Sequence, residues 1–363
     1  MEACKRCEKE LVGGFHDGAY CRKCQKSISL LGDAEGRGGI ITQAVGNTSS
    51  GRRRFGSILR KKSSSSGSPK SFSFSFRPNG VSFNIQEDTP YGKRALLCGV
   101  TYQKEKYKLR GTLLDVKSMR DLLVERFGFQ PASILILAEE EPFREPTRKN
   151  ILEGFKWLMR NLRAGDSVVF YFSGHGLRQR ELEGDEIDGF DETICPLDFK
   201  SEGMIPDNAI NDIIVRPLKE GIKLHAIVDA CHSGTILDLP RIYSRNEKRW
   251  TNNEPPSRTY KGTNGGKAIC FSACEDHQLA ADTSAFSEGK YMNGAMTYTF
   301  IKAIKENVNV TYSGLMHYMH QSIKSANVGI GCLPSLNPFY RKLVQDPVLS
   351  TSHDFDVTQK LNL

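Results

Sequence analysis

Two reactive side chains follow apolar segments of strand length. Residues 166–173 lead into a Gly-His-Gly turn that carries His175. Residues 223–229 lead into an Ala-Cys-His-Ser-Gly turn that carries Cys231. An imidazole beside a thiol stabilises the thiolate, which is the nucleophilic form of cysteine. The alternative is an inert buried cysteine with a core histidine, but the flanking glycines leave room for a substrate backbone and favour catalysis.

Alternating strands and helices are predicted to position both side chains. Five apolar runs have the length of buried strands, at residues 94–102, 134–138, 166–173, 223–230 and 267–273. Five segments have helical periodicity, at residues 113–127, 151–162, 209–218, 295–306 and 312–326. This alternation predicts an α/β fold, a three-layer αβα sandwich with a mostly parallel central sheet and an active site at the carboxyl ends of its strands. If the two strands are neighbours, His175 and Cys231 emerge side by side, with the backbone N–H groups of Gly176 and Cys231 as candidates for an oxyanion hole.

Composition and charge divide the 363-residue chain into three parts. Residues 1–35 contain four of the ten cysteines. Residues 36–88 are basic and rich in Ser and Gly, which predicts a disordered linker. Residues 89–363 contain the alternating elements and form the predicted folded domain. Residues 1–88 hold 15 Lys and Arg against 8 Asp and Glu, so they account for most of the net charge of +8.

The sequence also excludes some classes of protein. No apolar segment approaches the ~20 residues that a membrane helix needs, and the charged start lacks the apolar core of a secretory signal peptide. We therefore expect no membrane span, and the cysteines are candidates for free thiols, metal ligands or a nucleophile rather than for a disulfide framework. We expect a cytoplasmic protein, and the basic clusters at residues 52–54 and 60–62 leave a nuclear location open. Because these clusters lie in a predicted solvated tract, nucleic acid is not an expected partner.

Four segments together resemble the metacaspases, within the caspase–hemoglobinase clan of cysteine peptidases. They are Ser-Gly-His-Gly at 173–176, Ile-Asp-Gly-Phe-Asp-Glu-Thr-Ile-Cys-Pro-Leu-Asp at 187–198, Asp-Ala-Cys-His-Ser-Gly at 229–234 and Leu-Asp-Leu-Pro at 237–240. The cysteine-rich, basic N-terminal part resembles that of plant type I members. The resemblance covers residues 89–363 and implies a caspase-like fold with a large-subunit-like part (89–238), an exposed loop (239–266) and a small-subunit-like part (267–363).

The resemblance implies a cysteine endopeptidase that cleaves after Arg or Lys at P1, the residue before the scissile bond. Cys231 would attack the scissile carbonyl and His175 would move the proton. A basic P1 side chain needs a carboxylate-lined pocket, called S1, because an unpaired buried charge is costly. The positions that match the family's pocket are Asp115, Asp229, Ser173 and Thr112. Thr112 stands where the family usually has Cys, and for either Asp alone a helix cap or a surface charge is the alternative.

An acidic segment follows the histidine turn. Residues 181–192 contain seven acidic residues in twelve, so the segment either binds a cation or stays solvated. The resemblance implies calcium-stimulated activity, and the positions that match the family's calcium ligands are Asp191, Asp207, Asn208 and Asp238. Asn208 stands where Asp is usual, which removes one negative charge and predicts weaker calcium binding.

Four cysteines near the N-terminus form two Cys-x2-Cys pairs with 13 residues between them: Cys4, Cys7, Cys21 and Cys24. This spacing is typical of a structural zinc site with four thiolates, and it resembles the zinc finger of plant type I prodomains. Four unligated thiols are the alternative. A module this small needs its metal to fold, and we expect it to bind protein partners rather than to act in catalysis.

The polar segment 239–266 begins eight residues after Cys231 and is predicted to be an exposed loop, where proteolysis concentrates. An Arg/Lys-specific zymogen could cut itself there. The candidate sites are Arg241, Arg245, Lys248, Arg249, Arg258 and Lys261. The departures at Thr112 and Asn208 leave a rival hypothesis, a catalytically silent regulator that recruits partners through its N-terminal parts. We favour the enzyme, with protein substrates and a role in regulated proteolysis, cell death or stress.

Overall fold

The computed structural model describes residues 92–181, 186, 189–255, 257, 259–275, 282–283, 293–307, 309–329 and 345–363. The predicted zinc module and basic linker lie outside the described residues, as does the candidate cleavage residue Arg258. The strands of the described part are β1 (Lys93–Gly99), β2 (Ile134–Ala138), β3 (Ser167–Ser173), β4 (Gly176–Arg180), β5 (Phe190–Ile194), β6 (Ile205–Pro206), β7 (Lys223–Asp229), β8 (Arg241–Ser244), β9 (Arg249–Asn252), β10 (Lys267–Ser272), β11 (Asp282–Thr283), β12 (Asn293–Gly294) and β13 (Val348–Thr351). The helices are α1 (Thr112–Phe127), α2 (Arg148–Leu158), α3 (Phe199–Glu202), α4 (Asp207–Ile210), α5 (Ala295–Glu306) and α6 (Tyr312–Gly329), with a 3-10 turn at Pro131–Ser133 and a π-helical turn at Asn211–Val215.

An eight-stranded sheet forms the centre of the domain, in the order β2-β1-β3-β7-β10-β13-β8-β9. The first five strands are parallel, as their short and nearly continuous apolar runs predict. β13, β8 and β9 extend the sheet in antiparallel fashion. β3 and β7 are neighbours, with Ser173 in register with Asp229. The strands that precede His175 and Cys231 are therefore neighbours, which is the condition under which the sequence places the two residues side by side, and both residues emerge at the same edge of the sheet.

Helices cover both faces of this sheet and enclose two hydrophobic cores. Along β3, Val169 and Tyr171 belong to the core that includes α1, α5 and α6. Phe170 and Phe172 belong to the core on the other face, which includes α2. Each of these side chains is fully buried, and burial of a large apolar side chain contributes roughly 1.5–3 kcal/mol. The three-layer αβα sandwich predicted from the sequence is confirmed, and its packing fixes the positions of the strand ends.

Local signals set the helix boundaries. Helix α1 ends at Gly128, which adopts a φ of 70° as a left-handed C-cap. Helix α2 begins after Thr147, whose hydroxyl accepts the N–H of Asn150. The helix predicted over residues 209–218 is instead the short α4 followed by a π-helical turn. Among the described residues, no helix has both the length and the apolar character needed to cross a bilayer.

A second, three-stranded sheet follows the histidine turn directly, in the order β4-β5-β6. The sequence does not predict it, because β4 reads Gly-Leu-Arg-Gln-Arg and β5 reads Phe-Asp-Glu-Thr-Ile, and polar side chains hide the strand pattern. The antiparallel pairing of β4 with β5 places Asp191 and Glu192 beside the chain that leaves His175. The acidic segment therefore lies next to the strand that follows His175.

The segment 239–266 is only partly an exposed loop. Strands β8 and β9 form a hairpin that continues the central sheet through β13. Trp250 packs against Tyr243 and Phe355, with ring centroids 5.3 and 5.1 Å away. This aromatic packing explains why a segment of polar appearance is ordered, while the turn at 245–248 stays exposed.

Candidate active site

His175 lies half-buried in the turn between β3 and β4. Its Nε2 atom lies 2.7 Å from the backbone carbonyl oxygen of Tyr107. A carbonyl oxygen can only accept a hydrogen bond, so Nε2 carries the proton and Nδ1 is the acceptor nitrogen of the neutral ring. This contact selects the tautomer in which Nδ1 can receive a proton.

Tyr102 holds the histidine turn from the buried side. Its ring stacks on the imidazole of His175, with centroids 4.7 Å apart. Its hydroxyl accepts the His175 backbone N–H (3.1 Å) and donates to the carbonyl oxygen of Cys195 (2.6 Å). Burial raises the pKa of this hydroxyl well above its usual range, so it stays protonated and can donate. The left-handed backbone of Tyr102 (φ 54°) is held by Glu139, whose carboxylate accepts the N–H groups of residues 101–103.

Cys231 is half-buried in the turn after β7. The turn is attached to β10, because the hydroxyl of Ser233 accepts the N–H of Ala273 (3.2 Å) and donates to the carbonyl oxygen of Ala230 (2.9 Å). Gly176 lies directly against the turn, since a Cβ at that position would overlap the carbonyl oxygen of Cys231. The histidine and cysteine turns therefore meet, and position 176 accepts no larger residue without displacement.

Cys231 differs from the other cysteines that the structure describes. Those others are buried: Cys98, Cys195, Cys270 and Cys274. Burial raises the pKa of each of these four thiols, to about 12 at Cys270. Thiols with such pKa values stay protonated at neutral pH and are poor nucleophiles. Among the described cysteines, the environment therefore singles out Cys231.

Asp229 ends β7, two residues before Cys231, and is buried. Its Oδ2 atom accepts both the N–H and the hydroxyl of Thr297, at 2.8 and 2.7 Å, in the first turn of α5. The positive end of a helix dipole is a favourable place for a carboxylate. The hydroxyl of Thr297 also lies 2.9 Å from that of Tyr171, whose pKa is raised well above its usual range by burial and by the nearby Asp115 and Asp229.

Asp115, in the first turn of α1, borders Gly294, the same glycine that Asp229 borders. Its Oδ2 atom accepts the backbone N–H of Gly294 (2.9 Å) and the hydroxyl of Ser173 (3.3 Å). A Cβ at Gly294 would overlap Asp229 Oδ2 and would lie 3.1 Å from Asp115 Oδ2. The structure therefore brings together three predicted pocket residues, two of them carboxylates. The fourth, Thr112, is buried with its hydroxyl 2.9 Å from that of Thr101.

An acidic cluster, formed by Glu186, Asp207 and Asp238, lies beside the three-stranded sheet. An oxygen atom from each lies within 4.8 Å of the others. Asp207 also accepts the N–H groups of Glu192 (2.8 Å) and Asn208 (2.7 Å). Burial, and next the charge of Asp238, raises the pKa of Asp207 well above its usual range. The same two causes raise the pKa of Glu186 to about 9, so the cluster needs a positive charge to keep its carboxylates ionised.

The calcium ligands expected from the sequence are only partly brought together. Asp207, Asn208 and Asp238 lie in or beside the acidic cluster, whereas Asp191 is not a member of the group of three. Asp191 Oδ2 instead accepts a hydrogen bond from the side-chain amide of Gln179 (2.9 Å). Glu186 is a member of the acidic cluster, although the sequence does not distinguish it from the acidic residues around it. Carboxylate and amide oxygens are the donors that calcium prefers, so the chemistry of this set fits the ion.

Lys261 places its ammonium group in the acidic cluster. Its Nζ atom donates to Asp238 Oδ2 (2.7 Å) and to Asn208 Oδ1, and it lies 3.6 Å from Glu186 Oε1. The side chain is only 4% exposed. The prediction that Lys261 lies exposed in a loop is therefore wrong, because its side chain is buried among these partners.

The other candidate cleavage residues have different surroundings. Arg241 is half-buried in β8 and forms ion pairs with Glu254 (3.3 Å) and Asp354 (3.4 Å). Arg245, Lys248 and Arg249 lie at the exposed end of the hairpin. Among the candidate residues that the structure describes, accessibility therefore favours Arg245, Lys248 and Arg249.

Comparison with known proteins gives one consistent family. A family model described as metacaspase, peptidase C14 domain, matches residues 93–240. Metacaspase-1 of Arabidopsis thaliana is 45% identical over 289 residues, which cover 75% of this chain and 78% of that protein. Metacaspase-3 of Arabidopsis thaliana is 48% identical over 277 residues (74% and 75%), and Metacaspase-1 of Botryotinia fuckeliana is 32% identical over 319 residues (76% and 71%). The αβα sandwich is thus a caspase-like C14 domain, and the chain belongs to the metacaspase family of cysteine peptidases.

Proposed function

We propose that this metacaspase is an endopeptidase that cleaves proteins after Arg or Lys, with Cys231 as its nucleophile and His175 as its general base. The observation that carries the proposal is the pair of buried carboxylates, Asp115 and Asp229, at the sheet edge from which Cys231 emerges. Two carboxylates offer the acceptors that a guanidinium or an ammonium needs when it leaves water.

The contacts of His175 support a proton-transfer role. With Nε2 donating to the Tyr107 carbonyl, Nδ1 can accept the proton of the Cys231 thiol. The sulfur then attacks the scissile carbonyl carbon, and the imidazolium returns the proton to the leaving amine, which leaves an acyl-enzyme for hydrolysis by water. The N–H groups of Gly176 and Cys231 remain our candidates to stabilise the oxyanion.

We expect a peptide with Arg at P1 to be cleaved with a kcat/KM at least about a hundredfold higher than that of the same peptide with Asp at P1. The Asp side chain would meet two like charges in a desolvated pocket, and this repulsion costs several kcal/mol. Three peptides that differ only in Arg, Lys or Asp at P1 test this in one assay. Equal kcat/KM values for the Asp and Arg peptides would overturn the assignment of specificity.

We further propose that calcium stimulates the enzyme through the acidic cluster. Asp207, Asp238 and Glu186 would hold the ion, whose charge would offset the repulsion among the three carboxylates. The cluster adjoins both reactive turns through Glu192, whose N–H binds Asp207. The carboxylate of Glu192 pairs with Arg178 of β4 (2.9 Å) and accepts the hydroxyl of Thr235 (2.7 Å), four residues after Cys231. Through these contacts, an ion bound in the cluster would order the turns that carry His175 and Cys231. Activation by an ion in this way fits a role in regulated proteolysis during stress or cell death.

We expect active protein to cut itself first in the exposed hairpin turn, after Arg245, Lys248 or Arg249, and before any cut after Lys261. Exposed basic residues can enter the active site of another molecule, whereas Lys261 is buried in ion pairs. Intact masses of the fragments identify the cut, and Gln at all three turn positions should prevent it. Cutting after Lys261 as the first event, or cutting of pure Cys231→Ala protein, would contradict this expectation.

A further inference from the structure

We propose that Lys261 is a built-in counter-ion of the acidic cluster, and that a divalent cation such as calcium binds there only after the Lys261 ammonium leaves. The inference concerns regulation of the site described above and rests on the proposed calcium stimulation. It assigns to one lysine of the chain the role of an internal competitor of the ion.

The geometry makes the two cations mutually exclusive. An ammonium has three N–H donors, and those of Lys261 face Asp238, Asn208 and Glu186. Calcium needs six to eight oxygen ligands at about 2.3–2.6 Å. The oxygens of Asp238 and Glu186 cannot surround such an ion while the ammonium stays among them. Lys261 must therefore move before a complete coordination shell can form.

The departure of Lys261 would loosen a defined piece of chain. The buried side-chain amide of Asn211 donates to the carbonyl oxygens of Leu237 (2.9 Å) and Lys261 (3.0 Å). Together with the Lys261–Asp238 ion pair, it attaches residues 259–263 to the segment that follows the catalytic cysteine. Loss of the ion pair removes one of these two attachments. Tyr260 is already 64% exposed, whereas Lys261, Gly262 and Thr263 are buried, so opening of the segment would expose these three residues to solvent.

The negative charge of the acidic cluster explains why a cation from the chain itself stabilises the ion-free protein. Position 208 is an amide rather than a carboxylate, so its Oδ1 accepts a hydrogen bond from the lysine and adds no negative charge to repel the remaining acids. Glu186, Asp207 and Asp238 would repel one another without a positive charge nearby. Lys261 supplies that charge in the ion-free protein. The cost is a weaker apparent affinity for calcium, because only the fraction of molecules with the ammonium displaced can bind it.

The test uses full-length Cys231→Ala protein, in which self-cleavage cannot disturb the measurement. Calcium chloride is titrated by isothermal calorimetry into this parent, into Lys261→Met, and into Lys248→Met as a matched control for an exposed lysine. We expect the dissociation constant of Lys261→Met to be at least about tenfold lower than that of the parent. That of Lys248→Met should stay within about twofold of the parent, because exposed charges contribute little.

A second measurement separates displacement from a simple effect of charge. Hydrogen exchange of the parent is followed by mass spectrometry with and without saturating calcium. We expect calcium to increase amide exchange in residues 259–263 of the parent and to have no such effect in Lys261→Met. If Lys261→Met does not fold, the comparison of amide exchange in the parent with and without calcium tests the displacement of Lys261 by itself.

Three results would overturn the inference: bound calcium with unchanged exchange at 259–263, equal calcium affinity of parent and Lys261→Met, or no calcium binding to either protein. Each of these results leaves the peptidase assignment standing, since that assignment is judged by the P1 peptides. Conversely, failure to cleave Arg peptides would not alter the calorimetric result.

Discussion

Replacing Cys231 by Ala is expected to reduce peptide hydrolysis to the level of buffer, and replacing His175 by Ala is expected to lower kcat by at least about a thousandfold. The first change removes the only half-buried thiol among the described cysteines. The second removes the acceptor for its proton, which the contact with Tyr107 holds in the required tautomer. Initial rates on a P1-Arg peptide measure both effects.

The matched controls are Cys270→Ala and His317→Ala. Cys270 is a buried core thiol whose pKa is raised to about 12, and His317 is exposed on α6. Both variants should keep kcat within about twofold, although Cys270→Ala should lose about 1 kcal/mol of stability. Activity that survives in Cys231→Ala, or that is lost equally in Cys270→Ala, would refute the assigned nucleophile.

Asn in place of Asp115 or Asp229 is expected to lower kcat/KM for Arg and Lys peptides by about 30- to 5,000-fold, because loss of one partner of a buried charge pair costs about 2–5 kcal/mol. Asn keeps an oxygen that can accept the N–H of Gly294 or Thr297. The fold should therefore survive, and thermal unfolding of each variant checks this.

Asp212→Asn is the matched control for these variants. Asp212 is an exposed acid that pairs with Arg216 on the same helical turn, and such pairs contribute little. Its kcat/KM should equal that of the wild type. An equal loss in all three variants, or no loss in the two pocket variants, would show that the buried carboxylates do not recognise the P1 side chain.

The five parallel strands of the central sheet could be predicted because they are largely buried on both faces, whereas β8, β9 and β13 were not predicted. Continuous apolar runs such as residues 167–173 have few other interpretations in an alternating chain. The adjacency of β3 and β7 did not follow from the sequence pattern, which left it as a condition, because it depends on the order in which the crossovers place the strands. The second sheet could not be predicted, since β4 and β5 together carry four charged side chains and only three apolar ones.

Much of the candidate site has no local sequence signal. Tyr102 contacts His175 across 73 residues, and Thr297 contacts Asp229 across 68. Glu139 acts by accepting backbone N–H groups, which any residue type could offer. Such residues become visible only when the chain is folded, because their roles depend on which strand ends and turns meet.

The misassignment of Lys261 has a similar physical cause. Lysine is almost never fully buried unless it is paired, and its partner Asp238 lies 23 residues earlier in the chain. A sequence signal did exist, since an acidic segment this dense must either bind a cation or stay solvated. The sequence does not say whether that cation comes from solution or from the chain itself.

Covalent labelling tests the central claim most directly. The wild-type protein is treated with two peptidyl fluoromethylketones that differ only in Arg or Asp at P1, and the adduct is located by tandem mass spectrometry. A Cys231 nucleophile beside two pocket carboxylates predicts one adduct per chain, on Cys231, with the Arg reagent and none with the Asp reagent. Labelling of another residue, or equal labelling of Cys231 by both reagents, would contradict the account.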